Sequence, residues 1–68
     1  MEKFRIKGSY IQLNQLLKVT GWCDNGAEAN AAIESGEVYV NGSPELRKRN
    51  KITAGTTVEF NGQVVVIE

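Results

Sequence analysis

Hydrophobic residues recur at helical spacing in the first third of the chain. Leu13, Leu16 and Leu17 fall on one face of a helix, and we predict this helix over residues 11–20. Gly21 follows as its terminator, because glycine adopts the left-handed conformation of a helix C-cap without a steric penalty. The leucine face should pack on the rest of the protein.

Polar residues mark the start of a second predicted helix. Asn25 and Glu28 have the spacing of a capping box, in which the two residues satisfy backbone N–H groups at the helix start. The helix should therefore begin near residue 26 and end at the Ser-Gly pair of residues 35–36. Its inner face carries small or apolar side chains, namely Ala29, Ala32 and Ile33. The small alanines should let the two helices approach closely.

Apolar and polar residues alternate in the remaining segments, as is typical of strands with one buried face. The predicted strands cover residues 4–7, 37–40, 57–60 and 64–67, and Ile52 begins a shorter return segment. Asn-Gly pairs at 41–42 and 61–62 predict tight hairpins. The pattern as a whole predicts an α+β fold, with two short adjacent helices packed on a small, mostly antiparallel sheet.

Length and composition limit what such a chain can do. Its 68 residues predict a single domain, 1–68, and a domain near this size buries only about 60% of its unfolded surface. The chain has no histidine, which excludes Ser-His-Asp and Cys-His pairs and histidine zinc ligands. A lysine or carboxylate mechanism stays open, but a chain this short leaves little room for a sheltered pocket, so we expect no enzyme, no metal site and no cofactor. The lone Cys23 cannot form an internal disulfide, and neither a membrane span nor a signal peptide is evident, which indicates a cytoplasmic protein. We also expect a monomer.

Charged residues balance overall but cluster locally. The chain has 8 Lys or Arg and 8 Asp or Glu, yet four cations crowd into residues 47–51. Most carboxylates fall in residues 23–46, so we expect nothing to neutralise this run locally. A polyanion responds to local charge even where the net charge is zero. The run is therefore the first candidate for a binding site.

The segment 29–42 resembles a known family. It has a helix that carries Ala and Ile, followed by Gly36 and by a Val-x-Val-Asn-Gly run at 38–42. This order of features is similar to the alpha-L RNA-binding motif, an S-four-like RNA-binding domain. The leucines of the first helix and the closing strands extend the likeness to nearly the whole chain. The Gly-Trp pair at 21–22 and the Arg-Lys-Arg-x-Lys-Ile run at 47–52 resemble the small stand-alone bacterial members, the YbcJ-like proteins.

This resemblance implies RNA binding, usually to structured RNA, through the two helices and the following hairpin. Typical members carry helical cations where this chain has Gly26, Asn30 and Ala31, so the expected contact shifts toward the basic run. Arginine pairs with phosphates and stacks on bases, lysine adds a point charge, and asparagine can bond to base edges. The candidate RNA-binding residues are Arg47, Lys48, Arg49, Asn50, Lys51, Lys18 and Lys7.

Other interpretations of these residues stay open. The basic run can be a solvated loop that only keeps the protein soluble. Tyr39 should point out of the sheet, opposite Val38 and Val40, where it either stacks on a base or simply packs. The alternative function is a protein-interaction adaptor of the same fold with no RNA ligand. A ribonucleoprotein or protein partner is compatible with both functions, and no membrane partner is expected.

Overall fold

The computed structural model describes residues 2–68, which form two helices and seven short strands. The helices are α1 (Leu13–Val19) and α2 (Gly26–Glu34). The strands are β1 (Glu2–Phe4), β2 (Ile11–Gln12), β3 (Val38–Val40), β4 (Ser43–Pro44), β5 (Lys51–Ile52), β6 (Thr57–Phe60) and β7 (Gln63–Ile67). Five strands form one sheet in the order β1-β7-β6-β3-β4, and β2 pairs with β5 separately. In this described part of the chain β1 and β7 are parallel and the other pairs are antiparallel, which confirms the predicted α+β fold.

Helix α1 begins two residues later than predicted. Residues 11–12 are extended and pair antiparallel with β5, so that Ile11 lies opposite Ile52 and Gln12 opposite Lys51. The predicted start at residue 11 is wrong because these long-range backbone bonds outweigh the local helical pattern. The end of the helix is as predicted, since Gly21 has a φ of 80° and its N–H bonds to the carbonyl of Lys18 at 3.0 Å.

Helix α2 begins with the predicted cap. Asn25 Oδ1 accepts a hydrogen bond from the Glu28 backbone N–H at 2.9 Å. The Glu28 carboxylate reaches back to the N–H of Asp24 at 3.2 Å, one residue before the position expected for a capping box. Together the two bonds satisfy backbone donors at the helix start, which explains why the helix begins at Gly26.

The predicted inner faces of both helices form the core with the sheet. Leu16 and Ile33 are fully buried, and the alanine side of α2 lies against α1. The buried cluster comprises Leu13, Leu16, Leu17, Cys23, Ala29, Ala32, Ile33, Val38, Ile52, Val58, Val65 and Ile67. Trp22 packs at its edge, with its ring centroid 6.3 Å from that of Phe60. Neither helix is long and apolar enough to cross a membrane, over the residues described.

The first strand lies earlier than the predicted span of 4–7. β1 runs in parallel beside β7, with Phe4 opposite Ile67 at the end of the ladder. Beyond Phe4 the chain keeps one bond, from the Ile6 N–H to the Glu68 carbonyl at 3.0 Å. The prediction is wrong for residues 5–7 because the partner strand ends there.

Both predicted Asn-Gly hairpins are confirmed. Asn41 and Gly42 have φ values of 51° and 86°, and they join β3 to β4. Asn61 and Gly62, at 53° and 81°, join β6 to β7. Positive φ at both central residues is the condition for a type I′ turn, whose twist matches that of the flanking strands.

Candidate nucleic-acid interface

Residues 47–51, here called the basic loop, rest on the start of α1. The carbonyl of Asn50 accepts the Leu13 N–H at 2.9 Å, and the carbonyl of Lys48 accepts the Asn14 N–H at 3.0 Å. These bonds satisfy two of the backbone donors that a helix start leaves open, and Gln12 supplies no side-chain cap. The loop therefore caps α1, and this contact holds its backbone in place.

Glu45 accepts hydrogen bonds from two residues of the basic loop. Its carboxylate accepts three hydrogen bonds from Arg47, through the backbone N–H at 3.0 Å, Nε at 2.9 Å and Nη2 at 3.3 Å. Oε1 also accepts from Asn50 Nδ2 at 3.2 Å. The Glu45 side chain is only 15% exposed, whereas that of Arg47 is 76% exposed. Arg47 therefore keeps a free outer surface, while the amide donor of Asn50 is already engaged.

The same contacts set the ionisation of Glu45. The side-chain hydrogen bond from Arg47 holds the pKa of the Glu45 carboxyl below its usual value, helped by the Arg47 backbone N–H and charge and opposed by burial. The carboxylate in turn raises the pKa of the Arg47 guanidinium. Glu45 is thus a fixed anion at the base of a cationic loop.

A second carboxylate also meets the loop. Lys48 Nζ lies 3.4 Å from Glu34 Oε2, near the end of α2, with both side chains partly exposed. The expectation that nothing neutralises the basic run is wrong, because Glu45 pairs with Arg47 and Glu34 with Lys48. One of these glutamates is adjacent to the run, and folding brings the other to it from α2.

Arg49 and Lys51 keep their full charge. Both are exposed, and neither forms an ion pair with a carboxylate anywhere in residues 2–68. Lys51 Nζ instead lies over the Tyr10 ring, 5.0 Å from its centroid. They are the two cations of the basic loop without a carboxylate partner in the described residues.

The remaining two candidate residues lie in different places. Lys7 lines a groove of about 710 Å³ that Tyr10 also borders, so it comes near the end of the basic loop. Lys18 is exposed in the last turn of α1, where its charge suits the helix dipole. It lies on the same helix face as Asn14, four residues earlier, but no ion pair or hydrogen bond joins its side chain to the loop within the described residues.

Two other residues considered from the sequence take ordinary places in the fold. Tyr39 is exposed in β3 while Val38 beside it is buried, as the alternation predicts. Cys23 is buried, and burial raises the pKa of its thiol, with a further contribution from Glu28. The thiol is therefore a packing group and a weak nucleophile.

The sequence reasoning missed Tyr10 and Arg5. Both line the groove beside Lys7, and Tyr10 is 41% exposed. A signal was present, because basic and aromatic residues interleave from Lys3 to Tyr10, a composition typical of nucleic-acid contacts. Of this segment, only Lys7 is a candidate from the sequence, because the alternation at residues 4–7 predicts a strand and Tyr10 lies beyond Gly8 and Ser9.

Comparison with known proteins finds relatives that match this chain over most of its length. The family model described as S4 domain matches residues 4–68. YbcJ of Escherichia coli (strain K12) is 48% identical over 61 residues, which cover 90% of this chain and 87% of YbcJ. The solution structure of YbcJ from E. coli, described as revealing an alfaL motif involved in RNA binding, matches with a TM-score of 0.74 at 46% identity. That match covers 98% of this chain and 86% of the YbcJ chain.

A longer protein shares the same segment. Tyrosine–tRNA ligase of Ralstonia nicotianae (strain ATCC BAA-1114 / GMI1000) is 39% identical over 56 residues. The aligned stretch is 82% of this chain but only 14% of the ligase. The likeness therefore concerns a small part of that protein.

Proposed function

Because the chain belongs to the S4 domain family, we propose that it is a small RNA-binding protein that contacts structured RNA through the basic loop. The YbcJ structure is described as revealing a motif involved in RNA binding, and the match covers 86% of the YbcJ chain. The whole of residues 1–68 acts as one RNA-binding domain, and the protein works as a monomer.

The observation that carries this proposal is the anchoring of the loop. Backbone bonds from Leu13 and Asn14 fix residues 48 and 50, and Arg49 lies between them with no carboxylate partner in the described chain. Because the backbone of the loop is already ordered, only the Arg49 side chain loses conformational freedom when it meets a phosphate, so more of the interaction energy appears as affinity. The same bonds cap α1, so the fold holds the loop in this position before any RNA arrives.

The charges of the loop divide into two classes. Arg49 and Lys51 are free to contact phosphates directly, whereas Arg47 and Lys48 must share their charge with glutamates. The Arg47 fork is nonetheless mostly exposed and can still stack on a base or bond to a phosphate. The Asn50 amide donates to Glu45, so this side chain is the candidate with the least capacity left to contact a base edge.

We propose further that the protein does not catalyse a reaction. The sequence has no histidine, and its single thiol is buried, with a raised pKa. A catalytic acid, base or nucleophile must reach its substrate in a suitable protonation state. The chain has no histidine to act as the acid or base, and the buried thiol does not meet this condition as a nucleophile. The lone cysteine also fits a reducing cytoplasm, and the absence of any cofactor requirement remains part of this proposal.

A salt titration tests the proposed function. Fluorescence anisotropy with a labelled RNA hairpin is measured over a range of KCl concentrations for the wild type, Arg49→Ala and Lys51→Ala. Each phosphate contact adds about 0.7 to 0.9 to the slope of log affinity against log salt, so each variant should bind more weakly and lose about that much slope. The control is Lys3→Ala, which removes one cation from β1, at the sheet edge opposite β4, where Lys3 Nζ lies 3.7 Å from Glu68 Oε1.

The outcomes separate the candidate functions. Weaker, less salt-dependent binding by both loop variants, with Lys3→Ala close to the wild type, supports the basic loop as the RNA contact. Equal affinities and slopes for all four proteins would remove the loop from the interface. No salt-sensitive RNA binding at all, together with capture of a protein partner, would favour the adaptor function instead.

A further inference from the structure

A groove with mixed chemistry lies beside the basic loop. Residues 4–7 form one side, and Tyr10, Gln12 and Gln15 contribute to the other. Its volume of about 710 Å³ falls within the range of roughly 300–1,000 Å³ found for small-molecule sites. No carboxylate lines it among the residues described, whereas two cations do, Arg5 and Lys7.

The groove and the loop form one continuous surface. Gln12, which lines the groove, lies directly opposite Lys51 in the β2–β5 pair. A residue of the groove wall is therefore the strand partner of the last residue of the basic loop. Lys51 then extends over the Tyr10 ring at 5.0 Å. A strand of RNA that contacts the loop can therefore pass into the groove without leaving the protein.

The lining provides each part of a nucleotide with a partner. Lys51 Nζ lies over the Tyr10 ring, yet Tyr10 remains 41% exposed, which leaves ring surface able to stack on a base. The amide groups of Gln12 and Gln15 can both donate and accept, as the edge of a base requires. Arg5 and Lys7 carry unshared positive charge for a phosphate, since neither forms an ion pair in residues 2–68.

We propose that this groove binds one unpaired nucleotide of an RNA, with the base against Tyr10 and a phosphate beside Arg5 and Lys7. The inference rests on the proposed function, because the basic loop holds the adjoining RNA. It adds that the protein prefers RNA with a single-stranded segment next to a helix over RNA that is fully paired. Aromatic stacking is available only to bases outside a duplex, so the groove is the source of that preference.

Two RNA probes and two variants test the inference. The probes are a blunt-ended RNA duplex, which has no unpaired base, and the same duplex with a short oligouridine extension, both at one salt concentration. Stacking on an aromatic side chain gains roughly 5- to 150-fold in affinity per base, so the wild type should bind the extended probe more tightly by about that factor. Tyr10→Ala should lose the preference, whereas Tyr10→Phe, which keeps the ring, should retain it.

The result also distinguishes this inference from the proposed function. Salt-dependent binding of both probes with equal affinity, still weakened by Arg49→Ala, would leave the loop as the RNA contact and overturn the groove. Failure to bind either probe would overturn both proposals. Retention of the preference by a folded Tyr10→Ala protein would show that the ring is not the platform.

A second measurement covers the possibility that Tyr10→Ala does not fold. Amide chemical shifts of the wild type are followed while a uridine tetranucleotide is added. Shifts at Tyr10, Gln12 and Gln15 are expected, and Gln15→Ala should weaken binding of the tetranucleotide. Changes confined to the basic loop would overturn the groove as a nucleotide site.

Discussion

Arg47 Nε lies 2.9 Å from Glu45 Oε2, and the Arg47 backbone N–H donates to the same oxygen at 3.0 Å. The two residues are separated by Leu46 alone, so the bonds close a tight turn at the start of the basic loop. The carboxylate that receives them is mostly buried, and Asn50 adds a further donor. The shape of the cationic loop thus depends on an anion, and its protonation should loosen the loop.

The first prediction concerns the effect of pH on stability. The folded protein holds the pKa of Glu45 below its ordinary value, so between the two values the unfolded chain binds more protons than the folded one. The stabilisation is therefore complete above the ordinary pKa and is lost as the pH falls through the folded value. Urea unfolding of the wild type and Glu45→Gln should show a stability difference at neutral pH that shrinks in acid.

The control for this prediction is Glu59→Gln. Glu59 is an exposed carboxylate in β6 that forms no ion pair within residues 2–68, and the substitution removes the same charge. This variant should not reproduce the loss of stability seen at neutral pH with Glu45→Gln. A stability difference for Glu45→Gln that stayed constant into acid would mean that the pair with Arg47 does not depend on the charge of Glu45.

A second prediction concerns the two helix faces that form the core. Leu16 and Ile33 are fully buried, and truncating either to alanine should lower the free energy of unfolding by about 2–5 kcal/mol. Typical domains have only about 5–15 kcal/mol of stability, so each change removes a large share. The matched control is Val19→Ala in α1, because Val19 is 58% exposed and its truncation should change stability by about 0.5 kcal/mol or less. Urea denaturation checks all three, and a loss under about 1 kcal/mol for both core variants would contradict the packing described here.

The elements with strong local signals were predictable. The leucine spacing of α1, the Asn25 cap of α2 and the two Asn-Gly turns each depend on residues a few positions apart, and the structure has all of them. The first strand and the start of α1 were not predictable in this way. Their limits are set by β7 and β5, which lie distant in sequence, and a local pattern carries no record of where a partner ends.

The candidate site, like the fold, has parts that the local sequence predicts and parts that depend on contacts distant in sequence. The cationic run is visible in the sequence, and so is its acidic neighbour Glu45, but the bond from Lys48 to Glu34 is a tertiary contact. The Lys51–Tyr10 contact likewise joins residues 41 positions apart. Counting charges along the chain therefore overestimates the free charge of the loop, and it cannot locate an aromatic partner.

The contact between the two helices is uncharged. Asn14 Nδ2 donates to Asn30 Oδ1 at 3.1 Å, so two neutral amides join α1 to α2. Asn30 is one of the positions where the resemblance leads one to expect a cation. A neutral pair adds no field for RNA, which supports the basic loop and the groove as the places where charge is available.

The last prediction uses the contact between Lys48 and Glu34. Replacing Glu34 with glutamine removes the carboxylate 3.4 Å from Lys48 Nζ, and the freed amine can then meet a phosphate. Glu34→Gln should therefore bind RNA more tightly than the wild type at low salt, with a slope of log affinity against log salt that is steeper by about 0.7 to 0.9. The same anisotropy titration measures both quantities.

Two further variants determine whether the gain passes through Lys48. Glu28→Gln removes an equal charge from the start of α2, where the carboxylate bonds to the Asp24 N–H and not to the loop, so it should leave the slope nearly unchanged. In a Lys48→Ala background, Glu34→Gln should no longer steepen the slope, because the amine that it frees is absent. Equal gains from Glu34→Gln and Glu28→Gln would instead mean that RNA responds to the general charge of α2, and that Lys48 makes no phosphate contact of its own.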